Sequence, residues 1–210
     1  MSKGWSRIDT GDAGDPESQL ERIIEESEWF VAALTEARKL DLAAWCIGAG
    51  ALRNLVWDTL HGYTEPSVLS DLDLAWFDPT DTTRQRDLEL QARLSAQAIA
   101  PWEVTNQAGV HLWFESHFGH PVEPLRSLVA AVASWPEYAT SVGAWLDARG
   151  RVRIIAPYGL DDLLGMVVRR KPARVDLDTY RARVVAKRYS ERWSCVRVVH
   201  PPDPAGAKTP

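Results

Sequence analysis

The sequence predicts an α+β protein, and three observations carry the prediction. Short apolar runs at Trp45–Ile47, Leu72–Phe77 and Trp102–Val104 have the length of strands, whereas Leu20, Ile23, Ile24, Val31 and Leu34 recur at helical spacing. The two kinds of segment are interspersed along the chain. Its last part, from Leu160 to Glu191, is helical in pattern.

Taken in order, Asp15 before Pro16 reads as an N-cap followed by proline at the first helical position, opening a helix that runs to about Arg38. Trp45-Cys46-Ile47 is a strand that ends in the turn Gly48-Ala49-Gly50. Ala51–Leu60 is then a helix closed by His61-Gly62. The strand Leu72–Phe77 is stopped by Asp78-Pro79, and Arg84–Ala98 is an amphipathic helix with Leu88, Ala92 and Leu94 inward. After the strand at Trp102, Glu123–Ala133 carries Leu125, Leu128, Val129 and Val132 at helical spacing and stops at Trp135-Pro136. Val142–Asp147 and Val152–Ala156 flank Ala148-Arg149-Gly150 as a hairpin. Leu160–Arg170 and Leu177–Glu191 are two further helices. With no internal repeat and no long linker, residues 1–15 form a polar segment, 16–199 a single domain and 200–210 a loose tail.

Composition narrows the function classes. Of 210 residues, 45% are hydrophobic and 25% charged, as in ordinary globular domains, and no apolar run approaches the roughly 20 residues that span a bilayer. The first residues carry Lys3, Arg7, Asp9 and Asp12 without an apolar stretch, unlike a secretory signal, so a cytoplasmic location without a membrane partner is expected. Cys46 and Cys195 are the only cysteines, far apart and without a CxxC partner, which excludes a disulfide scaffold and predicts buried free thiols. The net charge of −5 hides an asymmetry: residues 149–197 hold 13 Lys/Arg against 5 Asp/Glu. That basic region suits either a polyanionic ligand, including RNA, or a solvated helical face.

The most informative segment is Gly48-Ala49-Gly50 followed by Ser70-Asp71-Leu72-Asp73-Leu74. Because strand side chains alternate, Asp71 and Asp73 point one way while Leu72 and Leu74 face a core. Two carboxylates so placed can hold magnesium, which prefers carboxylate oxygens together with substrate phosphates. The glycines let a triphosphate approach the backbone, and the start of the next helix offers unpaired N–H groups to it. This is the layout of a nucleotidyl-transfer site.

Four stretches also carry a family resemblance: Gly50–Asp58, Ser70–Asp73, Trp102–Ala108 and Gly159–Leu163. On them the chain resembles the bacterial nucleotidyltransferase-like family within the DNA polymerase β-type superfamily, whose fold is similar to the head domain of CCA-adding enzymes. The resemblance implies a mixed sheet backed by helices. It implies Asp71 and Asp73 as the catalytic, metal-binding pair and Glu103 as a third carboxylate that completes the metal site or acts as base. Gly48, Gly50, Arg53 and Ser70 fall among the nucleotide-binding positions, the Arg53 fork being suited to phosphate. Ala49 stands where those enzymes have a first glycine, and Asn54 where they have aspartate. No later cytidine- and adenosine-selecting motif matches, so CCA addition itself is not expected.

Other residues admit plainer readings. Asn106 and Gln107 have the paired donors and acceptors to orient a base or ribose, and equally the chemistry of turn formation. His111, His117 and His120 do not form a recognised metal motif, and Ser70 lacks the surroundings of a hydrolase nucleophile. Asp161 and Asp162 suit a helix start. Tyr180, Arg181 and Lys187 suit either a cleft or an exposed helical face, and most of the 10 tryptophans belong in the core.

The expected activity is therefore metal-dependent transfer of a nucleoside monophosphate from an NTP, the co-substrate, to a hydroxyl of an unidentified small-molecule, protein or RNA acceptor, with Mg2+ or Mn2+ as cofactor. The alternatives are a nucleotide-binding or interaction module without catalysis, and an RNA-binding protein.

Overall fold

The computed structural model describes residues 14–94, 100–172 and 174–201. The predicted polar start and loose tail lie almost entirely outside the described residues, as does the predicted helical stretch 95–98. In chain order the elements are α1 (Pro16–Glu25), α2 (Glu28–Arg38), β1 (Trp45–Gly48), α3 (Ala49–Leu60), β2 (Leu72–Trp76), α4 (Arg84–Arg93) and β3 (Trp102–Asn106). A 3-10 turn over Gln107–Leu112 leads to α5 (Phe114–Phe118) and α6 (Leu128–Ala133), and another over Tyr138–Thr140 leads to β4 (Gly143–Leu146) and β5 (Val152–Ile155). The chain closes with α7 (Asp161–Leu164), β6 (Val167–Val168), α8 (Leu177–Lys187), α9 (Tyr189–Arg192) and β7 (Arg197–Val198).

The class is α+β, as predicted. Five strands form a mixed sheet in the order β3-β2-β1-β4-β5, in which only β2 and β3 run parallel. One face carries Ile47, Leu72, Leu74 and Trp76 into the main core beneath α1, α2 and α3. The other carries Cys46 and Ala75 into a smaller cluster with Leu128 and Val132 of α6. Asp73 shares this second face, being two residues from Ala75.

Departures from the predicted elements have local causes. The long first helix is two helices, because the Ser27 hydroxyl accepts from the Phe30 amide and starts α2 afresh, while the apolar periodicity continues through the break. Leu90 of α4 and Leu94, which follows it, are buried, but Leu88 is 45% exposed. Asp87 sets that rotation by accepting from Trp76 Nε1 and the Asn106 amide, both at 2.8 Å. The helix predicted from Glu123 starts only at Leu128, where Ser127 caps it. The helix predicted over Leu160–Arg170 stops at Leu164; Met166 then turns with φ 53° and the β-branched Val167-Val168 pairs with Arg197-Val198. The last helix breaks at Arg188, in the left-handed region at φ 50°. Tyr180 bolts α8 to the small sheet by donating to the Val168 and Val199 carbonyls at 3.0 and 2.9 Å. Cys46 is buried as expected, whereas Cys195 is exposed: Trp193 and Val196 take the inward positions of that turn.

Gly48 ends β1 under tight steric control. A Cβ there would lie 2.5 Å from the Val142 carbonyl oxygen and 2.7 Å from the Trp135 ring, so the sheet and the ring must part to admit one. Gly48→Ala is expected to lower unfolding stability by about 2 kcal/mol in a urea titration; an unchanged midpoint would contradict this packing.

Candidate active site

The site is built where β1 turns into α3. Ala49 adopts φ 49°, the left-handed region in which an L side chain is strained and glycine is not. Thus the position that departs from the family glycine retains a glycine-like backbone. Gly50, by contrast, has no internal steric need to be glycine: an added Cβ would meet only Arg53 Nη2 at 3.9 Å. The space above it belongs to a cleft of about 180 Å³ lined by Ala49, Gly50, Arg53, Ser70, Asp71 and Asp73, among others. No side chain caps the N-terminus of α3, leaving its first N–H groups for an anion.

Arg53 is 4% exposed, yet among the described residues its guanidinium donates only to neutral groups, the Asn54 side chain and the Tyr189 hydroxyl. Its Nη2 and Nε donate to Asn54 Oδ1 at 2.7 and 3.2 Å, and its charge lies 5.1–5.5 Å from the ring centres of Trp57, Tyr189 and Trp193. Aromatic faces and one amide oxygen offset part of the cost of burying the cation. The same amide explains Asn54: a neutral acceptor orients the fork without neutralising it.

The carboxylates come from adjacent parallel strands. Asp73 and Glu103 are Cα partners in the β2–β3 register, so their side chains leave the same face side by side. Burial, and then the charges of Asp71 and Glu103, push the Asp73 pKa up to about 7, against the opposing pull of Lys187 and Arg53. Hard carboxylate oxygens that repel one another fit a divalent cation such as magnesium. Among the described residues no group of three His, Cys, Asp or Glu side chains forms a ready-made metal cage. An ion here would complete its shell with substrate oxygens and water, which is how magnesium commonly binds.

The opposite wall comes from far along the chain. Pro136, Thr140, Arg183, Lys187 and Arg192 line it. Glu137, 1% exposed, fixes this wall by accepting from Arg183 Nε at 3.1 Å, the Tyr189 hydroxyl at 3.2 Å and the Thr140 hydroxyl at 3.3 Å. Asp58 fixes the loop leading to Ser70, accepting from the Ser67 amide, the Ser67 hydroxyl and Trp193 Nε1 at 2.7, 2.6 and 2.7 Å. Of these residues the sequence reading singled out only Lys187. A helical basic stripe was the available signal for Arg183, and nothing local marked Glu137.

The structure brings together Gly50, Arg53, Ser70, Asp71 and Asp73, and sets Glu103 beside them. It does not bring in three others. Gly48 is buried in the sheet and does not line the cleft. Asn106, 2% exposed, is a structural bracket rather than a base-reading group: its Oδ1 accepts from the Asp78 and Ala108 amides, and its Nδ2 donates to the Asp78 and Asp81 carbonyls. Gln107 faces a separate cavity. His117 and His120 bond to the Trp113 and Phe118 carbonyls.

With that geometry defined, comparison with known proteins places the chain. Residues 35–198 match the model of a nucleotidyltransferase family, and the chain belongs to that family. A solved NMR structure described as revealing a CCA-adding enzyme head domain is similar over 88% of this chain and 96% of its own, at 27% identity and a TM-score of 0.73. Two apo forms of a tRNA-processing enzyme are similar at 15% and 16% identity, over 79% and 87% of this chain, with TM-scores of 0.48 and 0.47; the chain spans 44% and 43% of their length. No curated protein matches. Among the described residues no helix is long and apolar enough to cross a membrane.

The Asp73 shift has a signed consequence for the metal-free protein. Its folded pKa lies above the ordinary value of 3.8, so its contribution to stability is fully present below about pH 4 and is lost as pH rises towards 7. Asp73→Asn is therefore expected to be more stable than wild type at pH 8 in chelator, by about 1–2 kcal/mol after discounting for solvent and relaxation, and equal to it near pH 4. Chemical denaturation at the two pH values checks this; a destabilised variant at pH 8 would contradict it.

Proposed function

We propose that the protein transfers a nucleoside monophosphate from a nucleoside triphosphate to an acceptor hydroxyl, with release of pyrophosphate, in a reaction that depends on Mg2+ or Mn2+. The observation that carries this reading is one cleft in which Asp71 and Asp73 face the uncapped start of α3 and the cations Arg53, Arg183, Lys187 and Arg192. That pattern is complementary to a triphosphate and its metal. The likeness to a structure described as a CCA-adding enzyme head domain supports nucleotide transfer as the chemistry.

Asp71 and Asp73, with Glu103 at their side, would hold the metal, which when bound supplies charge stabilisation for the attacking and leaving oxygens. Gly50, Ser70, Arg53 and the α3 N–H groups seat the phosphates. Arg183, Lys187 and Arg192 offset charge on the departing pyrophosphate. The acceptor oxygen bonds to the α-phosphorus as the bond to the bridging β-phosphate oxygen breaks, and the Glu103 carboxylate takes the hydroxyl proton. Base selection by Asn106 has no part in this account, because its amide is fully committed to the loop around Asp78.

Two variants test the reading through metal-dependent pyrophosphate release. Asp73→Asn is expected to lose activity by roughly 10³-fold with the fold retained; full activity would refute the assignment. Gly50→Ala is expected to keep the wild-type melting temperature, since its Cβ enters open space, but to lower kcat/KM about tenfold by crowding the phosphates. If kcat/KM were unchanged, the phosphates would have to sit elsewhere.

A further inference from the structure

A second cavity, of about 290 Å³, adjoins the cleft and shares Pro136 and Arg183 with it. Thr105 and Gln107 of the β3 end line it. Thr105 is two residues from Glu103 and so leaves the same face of the strand. Glu103 thus stands between Asp73, on the cleft, and Thr105, on the cavity.

The chemistry of this cavity differs from that of the cleft. Rings cluster on its walls: Trp113, Phe114, Phe118 and Trp135 line it, with Phe114 and Phe118 centred 4.5 Å apart. Trp113 and Phe118 remain 39% and 56% exposed, a cost the fold alone does not require. One cation is set among the rings. The Arg174 guanidinium lies 4.5 Å from the Phe114 centroid, is half-buried, and has no hydrogen-bond acceptor or ion-pair partner among the described residues. The other charges on the cavity are committed, Arg183 to Glu137 and Asp176 to the Thr179 amide that it caps. A partly desolvated guanidinium with free donors, fixed on an aromatic face, is suited to an anion attached to a planar group.

We propose that this cavity is the acceptor site, and that the acceptor is a planar aromatic compound bearing a carboxylate or phosphate that meets Arg174, with its hydroxyl turned towards Glu103. The assignment rests on the transferase reading and follows from the order of the sheet. In-line displacement requires the attacking and leaving oxygens on opposite sides of the α-phosphorus. The leaving pyrophosphate belongs to the β1–α3 turn, the α-phosphate to the Asp71–Asp73 pair on β2, and the attack to the β3 side, where this cavity lies. There the acceptor oxygen forms its bond to the α-phosphorus of the triphosphate, the α–β bridging bond breaks, pyrophosphate departs, and the hydroxyl proton passes to the Glu103 carboxylate.

The test uses 15N-labelled full-length protein, following the indole N–H signals of Trp113 and Trp135, assigned by Trp→Phe variants. The probes are 4-hydroxybenzoate, phenyl phosphate and neutral phenol. At least one anionic probe is expected to move both signals, with phenol far weaker, and binding is expected to fall about tenfold in Arg174→Gln. Phe118→Ala, which removes an exposed ring and leaves the core intact, is expected to weaken it too. A preference for carboxylate or phosphate identifies the anion. No movement with any probe, equal binding by Arg174→Gln, or movement of the same signals by ATP alone, which would assign the cavity to the donor base, overturns the proposal. Full pyrophosphate release by Asp73→Asn beside intact probe binding would remove the transferase reading, and with it the acceptor role. Metal-dependent transfer without probe binding would remove the cavity assignment alone.

Discussion

The structure depends on one unusual placement of charge: the Arg53 guanidinium buried beside Asn54 and among Trp57, Tyr189 and Trp193. Burying a cation without a bonded counter-ion is costly, and each well-placed aromatic face returns about 2 kcal/mol when desolvated. The arrangement persists because the same rings do other structural work. Trp57 donates to the Leu163 carbonyl, Trp193 to Asp58 and Tyr189 to Glu137, so the cage joins α3, α7, α9 and the loop before Ser70. The helix that starts at the Gly48-Ala49-Gly50 turn is thereby locked to the wall that faces it.

The second constraint is the parallel register of β2 and β3, which sets Asp73 against Glu103 in the low-dielectric end of a sheet. Burial and the charges of Asp71 and Glu103 raise the proton affinity of Asp73, while Lys187 and Arg53 oppose that shift. Among the described residues Arg183 pairs with Glu137, but Asp71, Asp73 and Lys187 have no ion-pair partner. On the proposed function, a metal triphosphate would bring a cation to the acids and oxygens to the cations, and relieve both at once. This concentration of charge is compatible with a stable fold because the supporting groups, Glu137 and Asp58, each accept three hydrogen bonds.

Much of the acidic side of the candidate site was legible in the sequence, and the reasons are local. Strand alternation put Asp71 and Asp73 on one side with Leu72 and Leu74 opposite, and the glycines marked the turn. The resemblance added Arg53 and Glu103, and strand pairing brings Glu103 beside Asp73. What stayed hidden is what depends on long-range packing. Glu137 and Arg192 have no local signature, and the opposite wall forms only when α8 and α9 fold back against the turn after α6. The break at Arg188 was invisible because no glycine or proline announces it. Asn106 is ambiguous in sequence for a chemical reason: an amide that brackets a turn and one that reads a base use the same donors and acceptors. Gly48 is ambiguous for a steric one, since close approach of the Val142 carbonyl demands glycine as strictly as close approach of a phosphate.

The central claim is that the acidic pair and the cations lining the cleft form one site for a metal-bound triphosphate. The most direct measurement is the thermal unfolding midpoint of the full-length protein with each of ATP, GTP, CTP and UTP, with and without magnesium, because a ligand of the folded state alone stabilises it by mass action. The account predicts a magnesium-dependent rise for at least one triphosphate in wild type and its loss in Asp73→Asn. No rise with any triphosphate, or one that is equal in the variant and indifferent to magnesium, would contradict it.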